Sequence, residues 1–189
     1  MHSNKLKVLA IAVALASPLA ARAESNVTTG AGSISATARV NFSITIPRFI
    51  FLQVGTGTLL AANPAIDTIS FAPALAVVGD GTPVAGTGGN LTGGAVTVRI
   101  IGNGGNVTLG ATAPVAGMTS GGNSIPWTQI ATAITGGATH PTINGGNATF
   151  TATANVVNIT GTWIYTYLNT VTPASGTYTG QVLYTATTP

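Results

Sequence analysis

Residues 34–46 read ISATARVNFSITI, and this stretch indicates the fold class. Its even-numbered positions are all apolar, and they are Ile34, Ala36, Ala38, Val40, Phe42, Ile44 and Ile46. The odd-numbered positions are polar. In an extended chain successive side chains point to opposite sides, so this alternation gives one dry face and one wet face. A helix would spread the apolar residues around its circumference. The stretch therefore predicts an amphipathic β-strand.

The rest of the chain also reads as short strands separated by turns. Pro47 interrupts the alternation because it lacks a backbone N–H, and an almost entirely apolar strand follows at 49–54. Further predicted strands cover 68–71, 95–101, 106–109, 125–134, 148–157, 161–168 and 177–187. Four Gly-Gly-Asn triplets, at 88–90, 104–106, 121–123 and 145–147, predict tight turns. Many short strands without a helix predict one immunoglobulin-like, antiparallel β-sandwich, which we favour over a barrel.

The first residues are typical of a secretory signal peptide. Lys5 and Lys7 precede an apolar run at 8–16, and the small-residue site Ala21-Arg22-Ala23 follows. A membrane anchor is the alternative, but it needs roughly 20 apolar residues. We predict cleavage after Ala23, so that 1–23 is the signal peptide, 24–33 a flexible segment and 34–189 the β-sandwich domain. The expected route is through the periplasm to the cell surface, without a membrane span in the processed chain.

Charge is scarce and nearly balanced outside that leader. The chain has six Lys and Arg residues against three Asp and Glu, and half of the basic ones precede Glu24. Nucleic acid is therefore not an expected partner, because binding it depends on clustered Lys and Arg. A chain with so little net charge is expected to associate. Cysteine is absent, which excludes disulfides and cysteine metal sites.

The side chains that catalysis requires are nearly missing from residues 24–189. Acid–base chemistry needs a His, a carboxyl or a Lys, and the stretch offers His140, Glu24, Asp67 and Asp80. The glycine-rich triplets lack the Lys of a phosphate loop and the repeated Asp of a calcium-binding roll. We predict a protein that is not an enzyme and has no catalytic, cofactor or metal site.

Two tryptophans have two open interpretations. Trp127 and Trp163 could form an exposed platform on which a sugar stacks. Alternatively, Trp163 shares one strand face with Tyr165 and Tyr167, and a hairpin would pair this face with the tyrosines of the last strand. The packing interpretation is favoured.

Both ends of the predicted domain resemble a known family. The stretches SISATARVNFSITIPRFIFLQV at 33–54 and ASGTYTGQVLYTATTP at 174–189 are similar to the first and last strands of cysteine-free fimbrial subunits of the chaperone-usher type from Gram-negative bacteria. That resemblance implies a sandwich lacking one strand, which the N-terminal extension of the next subunit fills. It also implies a periplasmic chaperone and an outer-membrane assembly machinery as partners. The run Gly-Thr-Tyr-Thr-Gly-Gln-Val at 176–182 also resembles the closing strand of WxL-type surface domains, but the Trp127 and Trp163 motifs lack that family's leucine.

The functional expectation is a structural subunit that polymerises by β-strand complementation into a surface fibre. The apolar row from Ile34 to Ile46 is the candidate interaction surface. Because 24–33 is polar, either the donated strand begins near Ile34, or the row is the first strand of its own domain. In the second case the protein is a self-complete surface, matrix or glycan-binding module.

Overall fold

A computed structural model describes residues 24–189, and the predicted signal peptide lies outside these residues. Internal contacts divide the chain into two units, Met1–Ile46 and Pro47–Pro189. The first unit is described from Glu24 onward, and we call residues 24–46 the arm. Within residues 24–189, no helix is both long and apolar enough to cross a bilayer.

The arm contains no strand. Arg39 donates to the Glu24 carboxylate through Nε at 2.7 Å and Nη2 at 2.9 Å, and the Thr28 hydroxyl donates to the Ser35 carbonyl. The predicted strand over 34–46 is absent, because in the described chain no backbone hydrogen bonds pair this stretch with another segment. The second unit begins at Pro47, whereas the sequence places the start of the domain at Ile34.

The second unit is built from strands and two short 3-10 turns. The strands are β1 (Ile50–Val54), β2 (Ile69–Ser70), β3 (Val84–Ala85), β4 (Thr87–Gly88), β5 (Ala95–Gly102), β6 (Val107–Thr112), β7 (Met118–Ser120), β8 (Asn123–Ile125), β9 (Ile130–Gly136), β10 (Ala148–Phe150), β11 (Val157–Tyr167) and β12 (Leu183–Thr187). The 3-10 turns are Leu75–Val77 and Trp127–Gln129. Period-two alternation correctly predicted most of the long strands.

Two antiparallel sheets form the sandwich. The larger has five strands in the order β1-β5-β11-β3, with β9 also pairing β11, and the smaller has three in the order β10-β6-β12. Their facing sides supply one core, which is centred on Ile100, Leu109, Phe150 and Trp163. The prediction of an all-β, antiparallel sandwich is confirmed.

The Gly-Gly-Asn triplets occur at turns. Gly121 and Gly122 join β7 to β8, with φ of 51° and 89°. Two successive positive φ values are what a two-residue hairpin turn of this hand requires, and glycine adopts them without steric cost. In the triplet at 145–147 neither glycine has a positive φ, and the preceding Asn144 has it instead.

Two predicted strands are shorter than expected, and one predicted hairpin does not form. The strand predicted over 148–157 stops at Phe150, because Ala154 and Asn155 adopt positive φ in a turn. Of the strand predicted over 177–187, only Leu183–Thr187 forms a regular strand, β12. The predicted hairpin between β11 and β12 was wrong, since β12 pairs with β6 in the other sheet.

Candidate functional site

The apolar row of the arm is exposed along its whole length. All seven apolar side chains have exposed surfaces, and the fraction reaches 90% at Phe42 and 86% at Ile44. Single exposed apolar residues are common on proteins, but a continuous row of them is typical of an interaction surface. The sequence proposes these residues as one row, and the structure shows each of them exposed.

A cavity of about 370 Å³ lies in the sandwich unit. Its floor comes from the inner face of the larger sheet, with Val54, Val96, Ile130 and Tyr165. One wall is the segment 66–71, and the other is the segment 180–184. We call this cavity the groove. Its lining is mostly apolar, and Asp67 is its one acidic residue.

The groove exists because the smaller sheet does not cover the whole face of the larger one. Regular pairing of the last strand begins only at Leu183, and before it Thr179 exchanges a pair of backbone hydrogen bonds with Thr119. Gly180 lies between these points, directly against the Trp127 ring. A Cβ at this position would meet that ring at 2.8 Å. Residues 180–182 therefore run along the groove without backbone pairing to another strand.

The two tryptophans occupy different environments. Trp163 is 0% exposed, and its Nε1 donates to the Ala138 carbonyl at 2.6 Å. Its ring is therefore core, as the packing interpretation predicted, and it is not part of a surface platform. Trp127 is half-buried, donates through Nε1 to Pro114 at 2.8 Å, and contributes to the groove lining. The two rings do not form a common exposed face.

A chain of hydrogen bonds connects three ring side chains beside the groove. The His140 Nε2 and the Tyr184 hydroxyl lie 2.8 Å apart, and the Tyr184 and Tyr165 hydroxyls lie 3.0 Å apart. The His140 ring also stands edge-on to Trp163, with centroids 4.5 Å apart. The sequence placed His140 in a loop but gave no sign of its burial, because its partners come from two different sheets.

Burial controls the ionisation of this cluster. Desolvation lowers the pKa of His140 to about 4, and a backbone hydrogen bond at Pro141 opposes that shift only in part. Desolvation raises the pKa of Tyr184 to about 12, while its bond to Tyr165 lowers it slightly. The pKa of Tyr165 is raised as well, chiefly by burial. At neutral pH all three groups are uncharged.

We expect this histidine to make the fold acid-sensitive. The unfolded chain binds a proton at His140 below a pKa of about 6.5, whereas the folded chain resists until about 4. The contribution of His140 to stability therefore falls as pH decreases from 6.5 to 4, and this contribution changes no further below that window. The shift corresponds to about 3 kcal/mol, which we reduce to roughly 2 kcal/mol because the ring is partly exposed.

Urea denaturation between pH 4 and pH 7 measures this effect. The control is His140→Gln, which keeps a polar group near Tyr184 but does not titrate. Its stability should vary less across the window than that of the unaltered chain. Identical pH profiles for the two proteins would contradict the assignment.

The acidic side chains serve local structure. Asp67 accepts hydrogen bonds from the backbone N–H and the hydroxyl of Thr56, and Asp80 accepts one from the Thr82 backbone at 2.7 Å. Glu24 pairs with Arg39 in the arm. Across residues 24–189, no group of three or more potential His, Asp or Glu metal ligands occurs.

Comparison with known proteins gives no relative from which a role could be transferred. No protein-family model, curated protein or solved structure matches the chain.

Proposed function

We propose that this chain is an exported structural subunit of a surface fibre, and that it polymerises by β-strand complementation. The apolar row of one copy fills the groove of the next copy. The single observation that supports this most is the coexistence, in one chain, of an uncovered apolar row and an uncovered apolar groove. Exposure of both is costly in water, and association removes both from it.

The chemistry of the two surfaces is complementary. The even-numbered side chains of the arm are all apolar, and the groove floor presents Val54, Val96 and Ile130. The only charged residue between Ile34 and Ile46 is Arg39, which has the opposite parity and would face solvent. An inserted arm would therefore bury no charge of its own.

The sandwich also has open strand edges to which an added strand can pair. In the described chain β1 pairs only with β5, and β12 pairs only with β6, so each is an edge strand with one unpaired side. Unpaired edges accept an added strand through main-chain hydrogen bonds, while alternate side chains enter pockets below. The segment 180–184, which leads into β12, is also a wall of the groove.

The volume of the groove suits the largest side chain of the row. A cavity of about 150 Å³ is enough to bind benzene. A groove of about 370 Å³ can therefore take the Phe42 ring together with an aliphatic neighbour such as Val40 or Ile44. We assign Phe42 as the anchor of the inserted arm.

The test is the association state of residues 24–189 after refolding from denaturant, measured by light scattering over a range of concentrations and times. We expect a ladder of oligomers that lengthens with time. A synthetic peptide of residues 34–46 should shorten the ladder and raise the melting temperature, because a ligand of the folded state stabilises it. The control peptide has the same composition but a scrambled order without alternation.

Two results would contradict the proposal. A stable monomer whose melting temperature changes with neither peptide would show that the groove does not bind the row. A stable monomer that binds the peptide only after its own arm is removed would show self-complementation, which corresponds to the self-complete surface module.

A further inference from the structure

The three residues that join the arm to β1, Pro47 to Phe49, are held by an asparagine from the turn between β5 and β6. Asn103 Nδ2 donates to the Pro47 carbonyl at 2.8 Å, and the Phe49 N–H donates to Asn103 Oδ1 at 2.8 Å. The Asn103 backbone N–H also donates to the Phe49 carbonyl at 3.3 Å. One residue thus fixes the backbone on both sides of Arg48.

Arg48 adds a second attachment at the same place. Its Nη2 donates to the Thr188 hydroxyl at 2.7 Å, to the Gly104 carbonyl at 3.3 Å and to the Pro189 carbonyl. These acceptors belong to the β5–β6 turn and to the residues that follow β12. The side chain therefore connects the start of β1 with both.

Gly104 leaves the space that this arrangement needs. A Cβ on Gly104 would stand 2.3 Å from Arg48 Nε and 3.0 Å from its Cζ, closer than real contacts allow. The φ of Gly104 is not in the left-handed region, so an alanine there would displace the Arg48 side chain without straining the backbone. One Gly-Gly-Asn turn thus has a role besides chain reversal.

We propose that Asn103 and Arg48 are positioning residues that clamp the root of the arm, so that each subunit holds the next at a rigid joint. This inference rests on the proposed function. In a fibre joined through inserted arms, every bending or pulling load passes through the residues between Ile46 and β1. A root with several hydrogen bonds to the turn and to the end of β12 transmits that load to both sheets. An unclamped root would act as a flexible linker.

The first measurement is amide hydrogen exchange of Phe49, followed by NMR in residues 24–189 with Phe42→Asp added to keep the protein monomeric. We expect Asn103→Ala to speed this exchange about tenfold, because it removes the acceptor of that N–H. Gly104→Ala should loosen the root by displacing Arg48, with a smaller effect. The matched control is Gly146→Ala, where a Cβ meets open space.

The second measurement is the persistence length of fibres, from electron micrographs of the unaltered chain and of the same variants without Phe42→Asp. We expect Asn103→Ala and Gly104→Ala fibres to bend more than those of the unaltered chain and of Gly146→Ala. Unchanged Phe49 exchange would overturn the clamp itself. Faster exchange with unchanged fibre stiffness would overturn its role in the joint. Failure of the unaltered chain to form fibres would instead contradict the proposed function.

Discussion

A chain in which Phe42 is replaced by aspartate is expected to stay monomeric under conditions where the unaltered chain assembles. The substitution removes the apolar burial of the largest side chain in the row, worth about 1.5–3 kcal/mol. It also forces a carboxylate into an apolar groove, which adds a further cost of a few kcal/mol. Together these effects amount to about 5 kcal/mol, or a loss of roughly 4 × 10³-fold in the association constant.

The matched control for this prediction is Ser43→Asp. It introduces the same charge one residue away, on the face that the inserted arm would turn to solvent, and its effect should be within about fivefold. Light scattering and electron microscopy measure the assembly of the unaltered chain, of Phe42→Asp and of Ser43→Asp. Assembly of Phe42→Asp at the normal rate would remove Phe42 from the interface, and equal inhibition by both variants would contradict the two-sided arrangement of the strand.

The sandwich itself is expected to depend most on Trp163. Replacing this side chain with alanine should destabilise the domain by about 3–5 kcal/mol, the usual range for a large aromatic deleted from a core. The Ala138 carbonyl loses its indole partner as well. Because domains have only about 5–15 kcal/mol of stability, a large share of the total would be lost.

Guanidinium denaturation followed by the fluorescence of Trp127 measures this loss. The conservative variant Trp163→Phe retains most of the apolar contact and should lose clearly less. Trp127 is half-buried in the groove lining, so Trp127→Ala should cost less stability than Trp163→Ala when both are followed by circular dichroism. A Trp163→Ala protein with normal stability would be incompatible with the core described above.

The inner face of the larger sheet shows how far a local pattern predicts burial. Val96, Val98 and Ile100 share one parity in the sequence, and all three are buried in β5. The sequence could not show that Val96 also borders the groove while Val98 lies under the smaller sheet. Whether a residue of β5 is covered by the smaller sheet depends on where β12 begins, and β12 lies in a distant part of the chain.

The positioning residues were harder to find from sequence. The triplet at 104–106 was correctly interpreted as a turn, but nothing local distinguishes it from the other three triplets. Asn103 and Gly104 acquire their role because residues 47–49 and the end of β12 lie beside this turn. A contact between residues more than fifty positions apart has no signature in a single sequence.

The sequence alone determined the extended backbone, the single apolar row from Ile34 to Ile46, the glycine turns and the scarcity of charge. These are properties of neighbouring residues, because side-chain direction in an extended chain and the φ preference of glycine are local. Only the tertiary structure decided that β12 pairs with β6, that His140 packs against the buried Trp163, and that the apolar residues of the arm are exposed while a groove stays open. The partner of each strand, and the surfaces that stay exposed, depend on packing between distant segments. Many strand pairings satisfy the same alternation, and only the three-dimensional fit selects one of them.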